Sequence, residues 1–148
     1  SATKVGAILS NKEQKIKDAL HSYGKNLGLT FQIADDTLDY NSDIKLFGKQ
    51  IGNDFFEGKI TLPIIILCQK VAKDEKIFLN KIFTKIDRNE EEFLLVLKMI
   101  KKYNVIKDCY NKASYFIEIA SNALNIFEDC KEKEIFKKLT SFSIEREF

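Results

Sequence analysis

Apolar positions recur along almost the whole chain with a helical period. Ile16, Leu20, Tyr23, Leu27, Phe31, Ala34 and Leu38 follow one another at steps of four, three, four, four, three and four. That is the 3.6-residue repeat of an amphipathic helix, and it places one stripe of a long helix against a core through about residue 40. Ahead of it, residues 2–9, with Val5, Ile8 and Leu9, read as the end of an earlier helix. Ser10 with Glu13 reads as a capping box that opens the long one. Residues 41–58 read as a loop with one short helical turn at 54–57, and connections of that length are usually functional or disordered. Thr61 starts the next helix, with Pro63 in its first turn, where the missing N–H costs nothing. Residues 62–68 are apolar all round, which predicts central burial. Asp74 is expected to cap a further helix, with Ile77, Phe78, Ile82 and Phe83 inward. Asn89 caps the next, whose Glu90-Glu91-Glu92 suits the positive end of a helix. Its inward residues are Phe93, Leu94, Leu97 and Ile100. A long helix over 105–128 and a final one over about 132–145 complete the pattern.

Composition supports an all-α fold. Six glycines and the single Pro63 are too few for a strand-and-turn architecture. At 148 residues the chain reads as a single all-helical domain or fragment, residues 1–148, long enough to bury a real core. With 45% hydrophobic and 31% charged residues it is not a disordered chain. A net charge of +2 argues against holding nucleic acid by bulk charge. Cys68, Cys109 and Cys130 are too few and too far apart for a disulfide framework or a metal knuckle. Their odd number suits a reducing, cytoplasmic compartment, and Cys68 in its apolar run is expected in the core. His21, the sole histidine, lies in a polar stretch and reads as a surface residue.

The polar face of the long helix carries the chemistry. Gln32, Asp35 and Asp39 share one side of it, and Asp36 lies about 100° round. Three carboxylates within five residues repel one another, and a divalent cation is the natural neutraliser. Magnesium takes one or two carboxylates, keeps several waters and fills its remaining positions with phosphate. Lys49 and Lys59 follow on the loop and would supply positive charge to the same diphosphate. Two other motifs fail. Asp39-x-Asn41-x-Asp43 opens like a calcium-binding loop but has Ile44 where glycine is needed and Gln50 where glutamate is needed. Gly52 to Lys59 resembles a phosphate-binding loop but is one residue too long, and Ile60 stands where a hydroxyl would hold magnesium. On spacing alone, a solvated acidic face followed by an ordinary basic loop is an equally good reading.

The stretch Phe31-Gln32-x-x-Asp35-Asp36-x-x-Asp39, then Gly48-Lys49-x-x-Gly52-Asn53-Asp54-x-x-Glu57-Gly58-Lys59-x-Thr61-Leu62-Pro63, resembles the second aspartate-rich motif and following loop of the trans-polyprenyl diphosphate synthases. The form is most like the bacterial octaprenyl and other long-chain enzymes. The resemblance implies the C-terminal half of an isoprenoid-synthase helical bundle. It implies an enzyme that condenses isopentenyl diphosphate with an allylic diphosphate to make a long trans-polyprenyl diphosphate, such as the octaprenyl precursor of a ubiquinone side chain. It implies three magnesium ions in the complete site, with Asp35 the main direct ligand and Asp36 and Asp39 supporting the metal or its waters. Gln32, Lys49 and Lys59 would contact the allylic diphosphate, Asp54 would lie behind them, and Phe31 would sit near the prenyl cavity. Asp35, Asp36, Asp39 and Lys49 are thus the expected catalytic set. A cytoplasmic homodimer is implied as well, with a product that partitions to the membrane. No second Asp-Asp-x-x-Asp is present to match the family's first motif. The chain is therefore expected to be an incomplete half that forms no polyprenyl product by itself. The alternatives are a non-catalytic subunit of a heteromeric prenyl synthase, a short-chain farnesyl or geranylgeranyl synthase, or a plain helical interaction domain.

Overall fold

The structure is a computed structural model that describes residues 2–41 and 51–145. Every regular element among the described residues is helical: α1 (Ala2–Leu9), α2 (Gln14–Leu38), α3 (Asn53–Phe56), α4 (Leu62–Lys70), α5 (Lys73–Phe83), α6 (Glu90–Lys102), α7 (Val105–Ala123), a 3₁₀ turn (Leu124–Ile126) and α8 (Lys131–Glu145). The all-α expectation holds. No helix among these residues is long and apolar enough to cross a membrane.

Contacts divide the chain into two compact units, one of residues 1–34 with 111–148 and the other of residues 35–110. In the first, Tyr23, Ala120 and Leu124 form the buried cluster, with Leu27, Phe127 and Phe136 packed on it. The Tyr23 ring lies 5.1 Å from that of Phe136, and its hydroxyl donates to the Phe136 carbonyl at 2.9 Å. In the second, Phe55 is fully buried among Phe56, Phe83 and Phe93, with ring centroids 5.3–5.6 Å apart. Ile64, Leu67, Leu79, Ile82, Val96 and Ile100 complete that core.

The entry to α2 differs from expectation. Asn11 adopts a left-handed conformation at φ 47°, which asparagine tolerates better than most residues. Helix α2 therefore begins at Gln14, with Ile16 and Lys17 N–H groups donating to the Glu13 carbonyl at 3.1 and 3.2 Å. Ser10 is not its cap. The buried face of α2 is also rotated from the expected stripe. Asn26, Thr30 and Thr37 are buried, whereas Phe31 is 45% exposed. Burial of these polar residues is tolerated because they bond to backbone. Asn26 donates to the Ser22 carbonyl at 2.7 Å, and Thr30 to those of Asn26 and Ala113 at 3.1 and 3.4 Å. A buried donor with a partner avoids the desolvation penalty of an unmet one.

Further expectations shift. Helix α4 buries Pro63, Ile64, Ile66 and Leu67 but exposes Ile65, so its burial is one-sided. Cys68 is only half-buried, and Cys109 is the core cysteine, while Cys130 is exposed. The cap of α5 is Ala72, not Asp74, and the Glu75 carboxylate accepts the Ala72 N–H at 3.2 Å. Leu79 and Ile82 face inward on α5, with Ile77 and Phe78 exposed. Asn89 caps α6 as expected: its side chain accepts the Glu92 N–H at 2.9 Å, and Glu92 reaches back to the Asn89 N–H at 3.2 Å. Phe93, Val96 and Ile100 are its buried residues, and Leu94 is exposed. His21 is on the surface.

Candidate diphosphate and metal site

The site lies in the unit of residues 35–110 and is built around the last turn of α2. Asp39 is buried there. Its two carboxylate oxygens accept the N–H groups of Asn53 and Asp54 at 3.2 and 2.7 Å, so it caps the short helix α3. Its own carbonyl accepts the Gly52 N–H at 3.0 Å. Burial pushes the Asp39 carboxyl above its ordinary range, the backbone N–H of Asp54 pulls it back, and the Asp54 charge raises it again. Gly52 has φ 89°, and a Cβ there would come within 2.7 Å of the Phe93 ring. Only glycine meets both demands.

Beyond α3, Gly58 turns the chain at φ 75°, and the Lys59 N–H donates to the Asp54 carbonyl at 2.8 Å. This brings the Lys59 ammonium back over the acids. It lies 2.6 Å from Glu57 and 3.3 Å from Asp54, and those two carboxylates, Glu57 foremost, raise its pKa. Asp35, Asp39, Asn53, Asp54, Glu57 and Lys59 together line a cavity of about 220 Å³. A larger cavity of about 410 Å³ in the same unit is lined by Tyr40, Leu97, Lys101, Asn104, Lys107 and their neighbours, none of them acidic. Chemistry, not volume, selects the smaller one.

The expected residues separate here. Asp35 is exposed and lines the cavity; Asp39 lines it with both oxygens engaged by backbone. Asp36 is buried and is not in the lining. Its charge instead raises the Tyr40 hydroxyl and the Cys109 thiol, which burial has already pushed up, the thiol to about 11. Phe31 and Gln32 are exposed on α2 in the preceding turn. Lys49 lies outside the described residues. Asn53 and Glu57 join the cavity although sequence reading gave them no role. The signal for them was the pair of glycines, Gly52 and Gly58, that bracket their turn.

The donor set fits a hard divalent cation. Its acidic groups offer oxygen only, the ligand type such ions prefer. Among the described residues no three His, Cys, Asp or Glu side chains are gathered closely enough to hold a metal by themselves. A cation here would keep positions for water and phosphate, as magnesium habitually does.

Residues 1–100 match the family described as Polyprenyl synthetase, and the chain belongs to that family. It is 30% identical over 148 residues to the geranylgeranyl diphosphate synthase of Methanosarcina mazei, covering all of this chain and 44% of that protein. The crystal structure of a decaprenyl diphosphate synthase from Rhodobacter capsulatus superposes with a TM-score of 0.90 at 28% identity, over 99% of this chain and 45% of that one. A polyprenyl synthase from Caulobacter crescentus, crystallised with calcium and isoprenyl diphosphate, gives a TM-score of 0.86 at 30% identity, over the same shares. The chain thus has the isoprenoid-synthase fold of the C-terminal half and spans about half the length of the relatives it matches.

Proposed function

We propose that this chain forms the allylic-diphosphate side of a trans-polyprenyl diphosphate synthase. The reaction is condensation of isopentenyl diphosphate with an allylic diphosphate into a long polyprenyl diphosphate, octaprenyl being the product class its motif most resembles. The observation that carries the reading is the single cavity lined by Asp35, Asp39, Asp54, Glu57 and Lys59.

Diphosphate leaves only when its negative charge is neutralised. Lys59 supplies positive charge at the mouth of the cavity, and a substrate diphosphate replaces Glu57 and Asp54 as its partner. Asp35, exposed on the last turns of α2, lines the cavity and would present its carboxylate to a cation. Magnesium, when bound, adds the charge that stabilises the departing diphosphate. Asp39 shapes the site through backbone rather than reaching outward. The allylic cation is attacked by the double bond of isopentenyl diphosphate, and loss of a proton restores an alkene. No strong side-chain base is required.

Steady-state kinetics of Asp35→Ala in the complete enzyme test this. A loss of at least 100-fold in kcat/KM is expected, because removing one such charge-stabilising contact costs about 3 kcal/mol. Unchanged turnover would return the acids to surface decoration.

A further inference from the structure

We propose that Arg88 is a positioning residue for diphosphate binding, holding residues 52–59 in the shape that presents Lys59 and Asp54. This rests on the functional reading above and extends it to a residue outside the aspartate-rich motif and its loop. Arg88 precedes α6 and is absent from the lining of the acidic cavity. Its guanidinium gathers four backbone carbonyls, from the ends of α5 and α3 and from the turn after α5. One terminal nitrogen, Nη2, donates to Phe83 and Lys85 at 3.0 and 2.8 Å, at the C-terminal end of α5. The other, Nη1, donates to the carbonyls of Phe56, the last residue of α3, at 3.3 Å and of Ile86 at 3.5 Å. Carbonyls at helix ends lack intrahelical partners and carry partial negative charge, so a cation is doubly suited to them. The guanidinium also lies 5.7 Å from the Phe83 ring centre.

The decisive contact is with Gly58. A Cβ on that residue would stand 2.5 Å from Nη2 and 2.8 Å from Cζ of Arg88. The guanidinium is therefore seated directly against the glycine, one residue before Lys59. Asp39 pins the start of the segment and Arg88 pins its end. Between these two anchors the turn has little freedom, and Lys59 stays over the acids without a substrate to order it. A lysine at 88 would keep the charge but not the planar fork that reaches carbonyls on both sides.

The test combines amide hydrogen exchange of the complete enzyme with its calorimetric binding of inorganic diphosphate in the presence of magnesium. Arg88→Ala is expected to speed exchange over residues 52–59 at least tenfold and to weaken diphosphate binding at least tenfold, with residues 105–123 still protected. Arg88→Lys is expected to behave like the alanine variant. Lys59→Ala should weaken binding with exchange unchanged. Arg88→Ala without faster exchange overturns the inference, as does faster exchange with diphosphate affinity intact, since the role is then only structural. Full recovery by Arg88→Lys overturns it too, because charge and not the fork would matter. If Arg88→Ala exposes residues 105–123 as well, Arg88→Lys carries the comparison. Unaltered diphosphate binding by Lys59→Ala would instead sink the functional reading itself.

Discussion

Gly52 and Gly58 both sit at positive φ, and each faces a large side chain where a Cβ would be. At Gly52 that neighbour is the ring of Phe93, itself buried among Phe55 and Phe56. The ring cannot swing away as a flexible chain end could. Gly52→Ala is therefore expected to cost about 3 kcal/mol, combining left-handed strain with overpacking. Urea unfolding monitored by far-UV circular dichroism would measure it, and a midpoint equal to wild type would contradict the packing described. Asp39 shows why residue type alone misleads. The motif resemblance makes Asp35 the main ligand and Asp36 and Asp39 its supports; in the structure burial and two backbone N–H donors make Asp39 a helix cap. Asp36 is turned into a neighbour of Tyr40 and Cys109, and Asp35 is left exposed. Helical spacing sets Asp36 apart from the other two, but nothing in it separates exposed Asp35 from buried Asp39.

Helix starts were legible where the capping chemistry is local. Asn89 and Glu92 form the reciprocal pair their three-residue spacing predicts, and Thr61 with Pro63 opens α4 as read. Asn89→Ala removes the acceptor for the Glu92 N–H and is expected to destabilise the chain by about 1 kcal/mol. Asn89→Ser, which retains an acceptor, should recover most of that in the same chemical melt. Recovery would fail if α6 were held by packing alone. The Ser10–Glu13 box was misread because Ser10 belongs to the end of α1, where its N–H donates to the Gly6 carbonyl at 3.1 Å and the Lys12 N–H to that of Ala7 at 3.0 Å. The left-handed Asn11 follows it. The inward face of α2 was read in part: Tyr23 and Ala34 are buried as expected, but Phe31 is exposed while Asn26 and Thr30 lie inside. Hydropathy ranks asparagine and threonine as surface residues, but bonds to carbonyls one turn earlier make Asn26 and Thr30 acceptable inside.

Across the molecule, several carboxylates are held below their ordinary values by basic partners, some near in sequence and some distant. Glu75 is lowered to about 2, first by Lys102 at 2.7 Å and then by the Tyr103 hydroxyl, tying α5 to α6. Glu92 is lowered by Lys85, and Asp129 by Lys133. A carboxyl with a depressed folded pKa adds stability that is present above its unfolded value. That stability is lost as pH falls toward the folded value. Asp39, raised by burial, has the opposite sign and disfavours the fold once ionised. The urea midpoint is therefore expected to fall between about pH 4.5 and about pH 2. Glu75→Gln should flatten that acid limb, and an identical limb in the variant would rule out its ion pair as the cause.

The sequence by itself determined the all-α class, most helix positions, the acidic and basic stretches and the family, because each is carried by local period, capping chemistry or a contiguous motif. Tertiary structure alone decided which aspartate is a cap and which faces outward, which polar residues of α2 are buried, and why residues 52 and 58 must be glycine. It alone brought Arg88 to Gly58, thirty positions away in the chain. Such choices depend on what each side chain meets after the helices pack. The Asp35–Asp39 motif announces a chemistry, and its surroundings assign the parts.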